Sequence, residues 1–158
     1  MTQQPTTDPL PALQPIGRIE TPFRTLADCP RNGRQLDPAP VCLVRLFEAF
    51  QPGLLSLEGF SHLILIYALH EMRATELTFT PPFDGTPRGV FATRAPRRPN
   101  KLGMSVVAFD GFAAPDTLKV RYLDCLDGTP LLDIKPYLPS TDCVPEATMG
   151  WLEKHRTR

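Results

Sequence analysis

The sequence predicts a mainly β fold: a small closed or partly closed barrel of short strands, with long proline-rich loops and little helix. Nineteen of the 158 residues are proline, against a typical usage of about 5%, and proline interrupts both long helices and central strands. The apolar residues fall in short runs, the longest of which is Leu63–Leu69. Closure into a barrel is the economical way to remove the open edges of roughly six to eight short strands.

The first half of the chain alternates proline-rich loops with short apolar segments. Residues 1–13, rich in Thr, Gln and Pro, are expected to form a disordered tail, and residues 21–40, with four prolines, a loop. The β-branched residues of Val41–Phe47 favour a strand, and Pro52–Leu57 a short helix. The continuous apolar run His62–Leu69 is typical of a strand that is buried on both faces.

The second half repeats this pattern and ends in a short extension. Leu118, Val120 and Tyr122 alternate with basic residues, which predicts a strand with one buried face, and Asp127-Gly128 is a strong turn signal. The barrel domain is expected at residues 14–139 and a C-terminal extension at 140–158. The other predicted elements are a loop at 71–88, strands at Gly89–Ala92, Gly103–Phe112 and Leu131–Ile134, and a helix at Pro145–His155 with Pro145 in its first turn.

Composition narrows the class of protein. The 17 basic and 17 acidic residues balance, so any binding to a polyanion has to be local rather than a property of the whole surface. The four cysteines form no CxxC pair and no zinc-like spacing with histidine, so no metal is expected. The sequence shows neither a signal-peptide pattern nor a membrane-spanning apolar run, which predicts a cytoplasmic protein with reduced thiols.

The segment Gly89–Ser105, GVFATRAPRRPNKLGMS, concentrates positive charge in a stiff loop. It contains Arg94, Arg97, Arg98 and Lys101, and there is no Asp or Glu between Gly85 and Phe109. Such a loop is typical of a binding site for a polar or anionic ligand, although a solvated basic loop is equally compatible with the charge alone.

Two further places carry candidate chemistry. His70 ends the apolar run beside Glu71, where a side chain can emerge into a cavity, whereas His62 at the start of the run is expected to be structural and bonded to backbone. Asp133 lies at a strand end and either contributes to a cleft opposite the arginines or forms a structural pair with Lys135. Nucleotide-binding glycine fingerprints and serine-hydrolase elbows are absent from the sequence. The residues alone therefore indicate a polar cleft for an unnamed ligand.

Several motifs, in order, resemble the TsaA-like (TrmO) family over Gln14 to Pro139. They are PIGRI at Pro15–Ile19, GFSHL at Gly59–Leu63, GVFATR at Gly89–Arg94 with Arg98-Pro99-Asn100, and DGTPLLDIKPY at Asp127–Tyr137. The resemblance implies a β-barrel methyltransferase that uses S-adenosylmethionine and forms homodimers with the cofactor near the subunit interface. Characterised relatives methylate N6 of threonylcarbamoyl-adenosine beside the anticodon of transfer RNA.

The resemblance also implies a set of site residues. Arg31 or Arg94 would hold the cofactor carboxylate, Asp124 its ammonium or a ribose hydroxyl, and Leu102, Met104 and Leu123 its adenine. His70 and Asp133 are the candidates for a general base. The substrate or RNA contacts would be Arg97, Arg98, Asn100 and Lys101. The full set of implied cofactor residues is Pro30, Arg31, Asn32, Gly33, His70, Glu71, Arg94, Leu102, Met104, Arg121, Tyr122, Leu123 and Asp124.

The chain departs from the family pattern at Asn32, Ala95 and Lys101, and longer bacterial members continue into a C-terminal domain that is not part of this sequence. Two alternatives to the transfer RNA methyltransferase therefore stay open. One is a methyltransferase of the same architecture that acts on a small molecule or another RNA. The other is a protein that senses S-adenosylmethionine or binds RNA without turnover.

Overall fold

Six antiparallel strands close a barrel in the computed structural model of the protein, which describes residues 10–155. Their order around the barrel is β1-β2-β7-β6-β3-β8, and β4 and β5 pair separately as a small hairpin. The strands are β1 (Gly17–Glu20), β2 (Cys42–Leu46), β3 (His62–Ala68), β4 (Thr78–Phe79), β5 (Arg88–Gly89), β6 (Leu102–Ala114), β7 (Thr117–Arg121) and β8 (Thr129–Pro136). The predicted mainly β barrel is confirmed.

The little helix that is present lies between and after the strands. Three short 3₁₀ helices span Glu48–Leu54, Val90–Ala92 and Gly150–His155, and the single-turn helix α1 spans Pro139–Asp142. None of the helices within residues 10–155 is long and apolar enough to cross a membrane. Of the predicted tail, residues 1–9 lie outside the described part of the chain, and residues 10–13 have no regular structure.

Alternate residues of the barrel strands fill its interior. Fully buried side chains include Ile19, Val44, Leu65, Val107 and Leu118, each from a different strand. Burial of these aliphatic side chains is the main favourable contribution to the stability of the barrel.

The run His62–Leu69 is a strand, but the prediction that both of its faces are buried was wrong. Leu63, Leu65 and Tyr67 point into the core, whereas Ile64 and Ile66 are only partly buried on the outer face. A closed barrel of this size offers one apolar interior, so alternate residues of each strand must lie on the outside.

Three predicted local elements were also misplaced. Pro52–Leu57 was predicted as a helix, but the helical turn is the 3₁₀ segment that begins at Glu48 and ends at Leu54. Gly89–Ala92 is not a strand, because β5 ends at Gly89 and the chain turns into a 3₁₀ helix. The C-terminal helix begins at Gly150, so Pro145 lies before its first turn.

An irregularity in β8 decides which way an acidic side chain points. Tyr67 pairs with Leu131, but the preceding residue of β3, Ile66, pairs with Asp133, so one residue of β8 is bulged out. Sequence alternation would put Leu131 and Asp133 on the same face of the strand. The bulge reverses the alternation, so Leu131 lies in the core and Asp133 on the outer face.

Candidate functional site

A cavity of about 610 Å³ lies at one end of the barrel, within the range of small-molecule sites. The strands explain its position: β3 ends there and β6 begins there, since Ala68 pairs with Leu102. The lining residues come from the loop before β2, from residues 67–72, from the basic loop, from the start of β6 and from residues 124–129.

Tyr67 and Asp124 form the polar part of the cavity wall. The Tyr67 hydroxyl donates a hydrogen bond to Asp124 Oδ1 at 3.0 Å and lies 2.9 Å from Ser105 Oγ. Gly103 pairs with Tyr67 across the sheet, and a Cβ at Gly103 would lie 2.2 Å from the Tyr67 ring. The glycine therefore leaves the space in which the ring lies flat against β6, with its hydroxyl directed at Asp124.

The surroundings of the Asp124 carboxylate favour a ligand group that is cationic or that donates a hydroxyl hydrogen bond. Burial raises the pKa of the Asp124 carboxyl, and the Tyr67 hydrogen bond and the Arg94 charge offset only part of that increase. Burial, followed by the charge of Asp124, raises the pKa of the Tyr67 phenol, so that it remains a hydrogen-bond donor at neutral pH. A carboxylate held in this way lacks a cationic hydrogen-bond partner among the described side chains and would gain from a ligand that supplies one.

Two arginines border the cavity without a carboxylate partner. Arg31 and Arg94 line it, and the side chain of neither forms a hydrogen bond or ion pair within residues 10–155. Arg94 is exposed, and its charge acts on Asp124 across the cavity. Guanidinium groups in this state can take a planar anion such as a carboxylate in a bidentate arrangement.

The other cations of the basic loop have internal partners, although the sequence shows no acid near them. Arg98 Nη1 donates to the carbonyl oxygens of Val90, Thr93 and Ala95 at 3.1, 2.8 and 3.4 Å. Arg97 Nη1 pairs with Glu76 Oε1 at 2.8 Å. Lys101 Nζ donates to Thr75 Oγ1 at 2.6 Å and to the Arg98 carbonyl at 3.0 Å.

This arrangement bears on the predicted RNA contacts. Arg97, Asn100 and Lys101 do not line the cavity, and Arg98 lines it while shaping the loop around itself. Asn100 is exposed in the same loop. The role of these four residues in RNA binding stays a prediction, and the internal partners of three of them weigh against it.

An apolar surface completes the cavity. Leu102 and Met104 lie on the same face of β6, and their side chains are 41% and 51% exposed despite lining the cavity. Leu26, Leu69, Met72 and Leu126 also contribute to the lining. Exposed apolar side chains beside two cations suit a ligand that is aromatic at one end and charged at the other.

Most of the implied cofactor residues are brought together here. Those that line the cavity are Pro30, Arg31, Asn32, His70, Glu71, Arg94, Leu102, Met104 and Asp124. His70 Nε2 lies 3.6 Å from Glu71 Oε1, so the imidazole stands in the wall beside a carboxylate. Leu123 is 2% exposed and its side chain belongs to the core, so its contact with the cofactor stays a prediction.

The remaining implied residues do not line the cavity. Gly33 packs against the backbone of Tyr122, where a Cβ would lie 1.9 Å from the carbonyl oxygen. The Arg34 guanidinium stacks on the Tyr122 ring at 3.8 Å. Arg121 pairs with Asp110 on the outside of the barrel. The contacts of Gly33 and Arg34 with Tyr122 hold the loop that carries Arg31 against the segment that carries Asp124.

Asp133 is not brought to the cavity. Its carboxylate accepts an ion pair from Lys135 Nζ at 2.9 Å on the outer face of the barrel, as the structural alternative predicted. His62 contacts the Ser61 hydroxyl at 2.8 Å rather than the backbone, and its ring lies edge-on to Tyr137. Of the two candidate bases, only His70 lies in the cavity.

Sequence reasoning missed Tyr67, Cys29 and Gly103 as cavity residues. Tyr67 had a usable signal, since its hydroxyl is the only side-chain polar group inside the run Leu63–Leu69. Cys29 had none, because it belongs to a loop whose path the sequence does not determine. Burial, followed by the charge of Asp124, raises the pKa of the Cys29 thiol, which argues against a reactive thiolate.

Comparison with known proteins assigns this architecture to a family. Residues 18–143 match the family model of the tRNA-methyltransferase O N-terminal domain. An S-adenosyl-L-methionine-binding protein of Archaeoglobus fulgidus is 42% identical over 84% of this chain and 93% of its own. The tRNA (adenine(37)-N6)-methyltransferase of Escherichia coli K12 is 35% identical over 87% of this chain and 62% of its own.

Solved structures agree with the sequence comparison. The crystal structure of TrmO from Pseudomonas aeruginosa has a TM-score of 0.74 and 38% identity, covering 89% of this chain and 62% of the TrmO chain. The present chain thus spans about three fifths of the length of the bacterial TrmO proteins and nearly the whole of the archaeal relative. The family model, the relatives and the barrel together show that this chain belongs to the TrmO family.

Proposed function

We propose that the protein binds S-adenosylmethionine in the cavity at the end of the barrel and transfers its methyl group to N6 of an adenosine beside the anticodon of transfer RNA. The family resemblance makes threonylcarbamoyl-adenosine the expected acceptor. The observation that carries the proposal is the cavity itself, where two guanidinium groups without carboxylate partners, a half-buried carboxylate and an exposed apolar face border one space.

The cavity residues match the chemistry of this cofactor group by group. Arg94 or Arg31 would hold the carboxylate of the methionine end. Asp124 would accept a hydrogen bond from its ammonium or from a ribose hydroxyl, which would compensate for the cost of keeping that carboxylate half-buried. Leu102 and Met104 would pack against the adenine.

Methyl transfer requires the protein to position the two reactants and to accept one proton. S-adenosylmethionine, when bound, supplies an electrophilic methyl group. The cavity residues would orient it and exclude water, and such positioning can contribute up to roughly 7–11 kcal/mol. His70 is the side chain best placed to take the proton that the acceptor nitrogen gives up, at Nε2, with Glu71 stabilising the resulting imidazolium.

We extend the proposal to assembly and location. Phe91, Leu102 and Met104 expose apolar surface beside the cavity, which supports a homodimer whose partner subunit covers the rim. Light scattering after size exclusion would test it, and a monomer at micromolar concentration would contradict it. A cytoplasmic location follows from the proposed transfer RNA substrate.

A second candidate is a protein that binds S-adenosylmethionine without turnover. It is favoured by the internal partners of Arg97, Arg98 and Lys101, which reduce the positive charge that the basic loop offers to RNA phosphates. The match to only part of the bacterial TrmO chains also leaves room for it.

Two measurements distinguish the methyltransferase from the protein that binds the cofactor without turnover. Calorimetry with S-adenosylmethionine tests the shared premise, and absence of heat at millimolar cofactor would contradict both. Mass spectrometry of nucleosides from transfer RNA of a strain lacking the gene, before and after incubation with protein and cofactor, tests the methyl transfer. A mass gain of one methyl group on threonylcarbamoyl-adenosine is expected, and cofactor binding without any methylated nucleoside would favour the second candidate.

A further inference from the structure

A carboxylate with no exposed side-chain surface lies in the turn between β4 and β5, outside the cavity. Asp84 accepts hydrogen bonds from Arg88 Nε and Nη2 at 2.9 and 2.7 Å. Lys154 Nζ and His155 Nε2 reach it from the C-terminal 3₁₀ helix at 2.6 and 2.7 Å. The hydrogen bonds from Lys154 and His155, then that from Arg88, hold the pKa of Asp84 below its usual value.

Aromatic contacts join the same two segments. Trp151 of the C-terminal helix stacks on Phe83 at a centroid distance of 6.0 Å, and the Arg88 guanidinium lies 4.5 Å above the Trp151 ring. His155 meets Phe83 edge-on at 5.1 Å. We call Gly150–His155, docked on Asp84 and Phe83, the C-terminal latch.

The latch reaches the loop that carries Arg94. Trp151 Nε1 donates a hydrogen bond to the Ala92 carbonyl at 2.8 Å. Ala92 ends the 3₁₀ helix whose first residue, Val90, is buried and bonded through its N–H to the Leu77 carbonyl at 2.8 Å. On the other side Arg98 binds three carbonyl oxygens of the same stretch. Two side chains thus hold residues 90–95: Trp151 binds Ala92, and Arg98 binds the carbonyls on either side of Arg94.

These attachments bear on ligand binding through the position of Arg94. The stretch that carries Arg94 contains no strand and only the single 3₁₀ turn, so its conformation depends on contacts from elsewhere. Holding a loop in its binding conformation lowers the entropy lost when a ligand is bound. The hydrogen bond from Trp151 to Ala92, made across 59 residues of sequence, is one such contact.

We propose that the C-terminal latch positions Arg94 for the carboxylate of the bound cofactor, and that Trp151 is the positioning residue. The inference rests on the proposed binding of S-adenosylmethionine, and it adds a control of that site by the C-terminal segment. A latch that merely stabilised the fold would affect every ligand of the cavity equally. A latch that acts through Arg94 affects only ligands that use Arg94.

The test measures S-adenosylmethionine affinity by calorimetry for the full chain and for Trp151→Ala, alone and combined with Arg94→Ala. Trp151→Ala is expected to weaken binding by about fivefold, the worth of one hydrogen bond, and by less than about twofold when Arg94 is already alanine. 5′-Methylthioadenosine, which lacks the amino-acid carboxylate, is expected to bind Trp151→Ala and the unaltered protein with affinities within about twofold. Val144→Ala, an exposed apolar residue of the same C-terminal segment, is the matched control.

Two further variants keep the inference falsifiable if Trp151→Ala does not fold. Trp151→Phe retains an aromatic ring against Phe83 and Arg88 but removes the N–H donor to Ala92, and a loss of about threefold confined to S-adenosylmethionine is expected. Asp84→Asn removes the charge that holds Arg88 and Lys154 and that accepts the hydrogen bond of His155. Because Trp151 is the only tryptophan, a red shift of its emission in Asp84→Asn would report release of the latch, and cofactor affinity should fall with it.

The outcomes separate this inference from the function on which it rests. Equal losses for both ligands, an undiminished loss in the Arg94→Ala background, or unaltered affinity in well-folded Trp151 variants would each overturn the latch and leave the cofactor site standing. Failure of the unaltered protein to bind S-adenosylmethionine would overturn the proposed function and the latch together.

Discussion

The protein gathers positive charge in two places and uses it in opposite ways. At the C-terminal latch, Arg88 and Lys154 pair with the carboxylate of Asp84, whose side chain has no exposed surface. At the cavity, Arg31 and Arg94 have no such partner in the described part of the chain. The comparison shows that the spatial partner of a cation, rather than its neighbours in sequence, decides whether it is available to a ligand.

The same contrast divides the basic loop. Arg94 and Arg98 are four residues apart. Arg98 donates hydrogen bonds to three backbone carbonyls, whereas the Arg94 side chain has no hydrogen-bond partner within residues 10–155. Arg98, which binds three carbonyls, stabilises the conformation of the loop. Arg94, without such partners, contributes positive charge to the cavity. Substitutions along the loop should therefore differ in kind as well as in size.

Arg94→Ala is expected to have the largest effect on binding. Loss of the proposed bidentate contact to the cofactor carboxylate should cost about 1.5–3 kcal/mol, a reduction in S-adenosylmethionine affinity of roughly tenfold or more, with little change in Tm. Calorimetry and thermal unfolding measure the two quantities. Arg73→Ala, at an exposed arginine next to the lining residue Met72, is the control, and equal losses in both variants would contradict a specific contact.

Arg98→Ala should act on the fold of the loop first. Removing the donor leaves the carbonyls of Val90, Thr93 and Ala95 without it, at a cost of about 1–3 kcal/mol, or a decrease in Tm of roughly 2–12 °C. Cofactor affinity should fall as a consequence, because Arg94 loses one of its two fastenings. A variant with unaltered Tm and weakened RNA binding would instead return Arg98 to the predicted RNA contacts.

The sequence predicted the barrel well, but it predicted less well which side chains face the cavity and which pair within the protein. Turn signals and alternation locate strands because backbone geometry follows local pattern. The strand predicted at Leu118–Tyr122 is present at Thr117–Arg121, and the Asp127-Gly128 turn is present as predicted. Which residues face the cavity depends on register and long-range partners. The bulge in β8 turned Asp133 outward, and Glu76 and Thr75, some 20 residues away, took up Arg97 and Lys101.

Asp124→Asn should separate stability from binding at the cavity. Burial raises the pKa of Asp124, so the ionised form is disfavoured in the folded state and the resulting cost is present at pH values above the folded pKa. The amide can still accept the Tyr67 hydrogen bond. We expect a Tm about 2 °C higher at pH 7, a gain that disappears below pH 4, and weaker cofactor binding.

The pH profile provides the control for this prediction. A gain in Tm that persists unchanged below pH 4 would mean that ionisation is not its cause. Unaltered cofactor affinity would remove Asp124 from the site and leave it as a structural partner of Tyr67.

Arg97→Ala is expected to have the smallest effect on Tm and cofactor affinity, so an effect on RNA binding can be measured separately. Its guanidinium pairs with Glu76, and both side chains are close to half exposed, so the pair should contribute no more than about 0.5 kcal/mol. Tm should shift by less than about 2 °C and cofactor affinity by less than about twofold. Because folding and cofactor binding stay constant, any loss in transfer RNA binding, measured by filter retention at two salt concentrations, isolates a phosphate contact. If the salt dependence of transfer RNA binding is reduced in Arg97→Ala, Arg97 contacts a phosphate and resembles Arg94 in binding a ligand. If the salt dependence is unaltered, Arg97 resembles the cations of the latch, which pair within the protein.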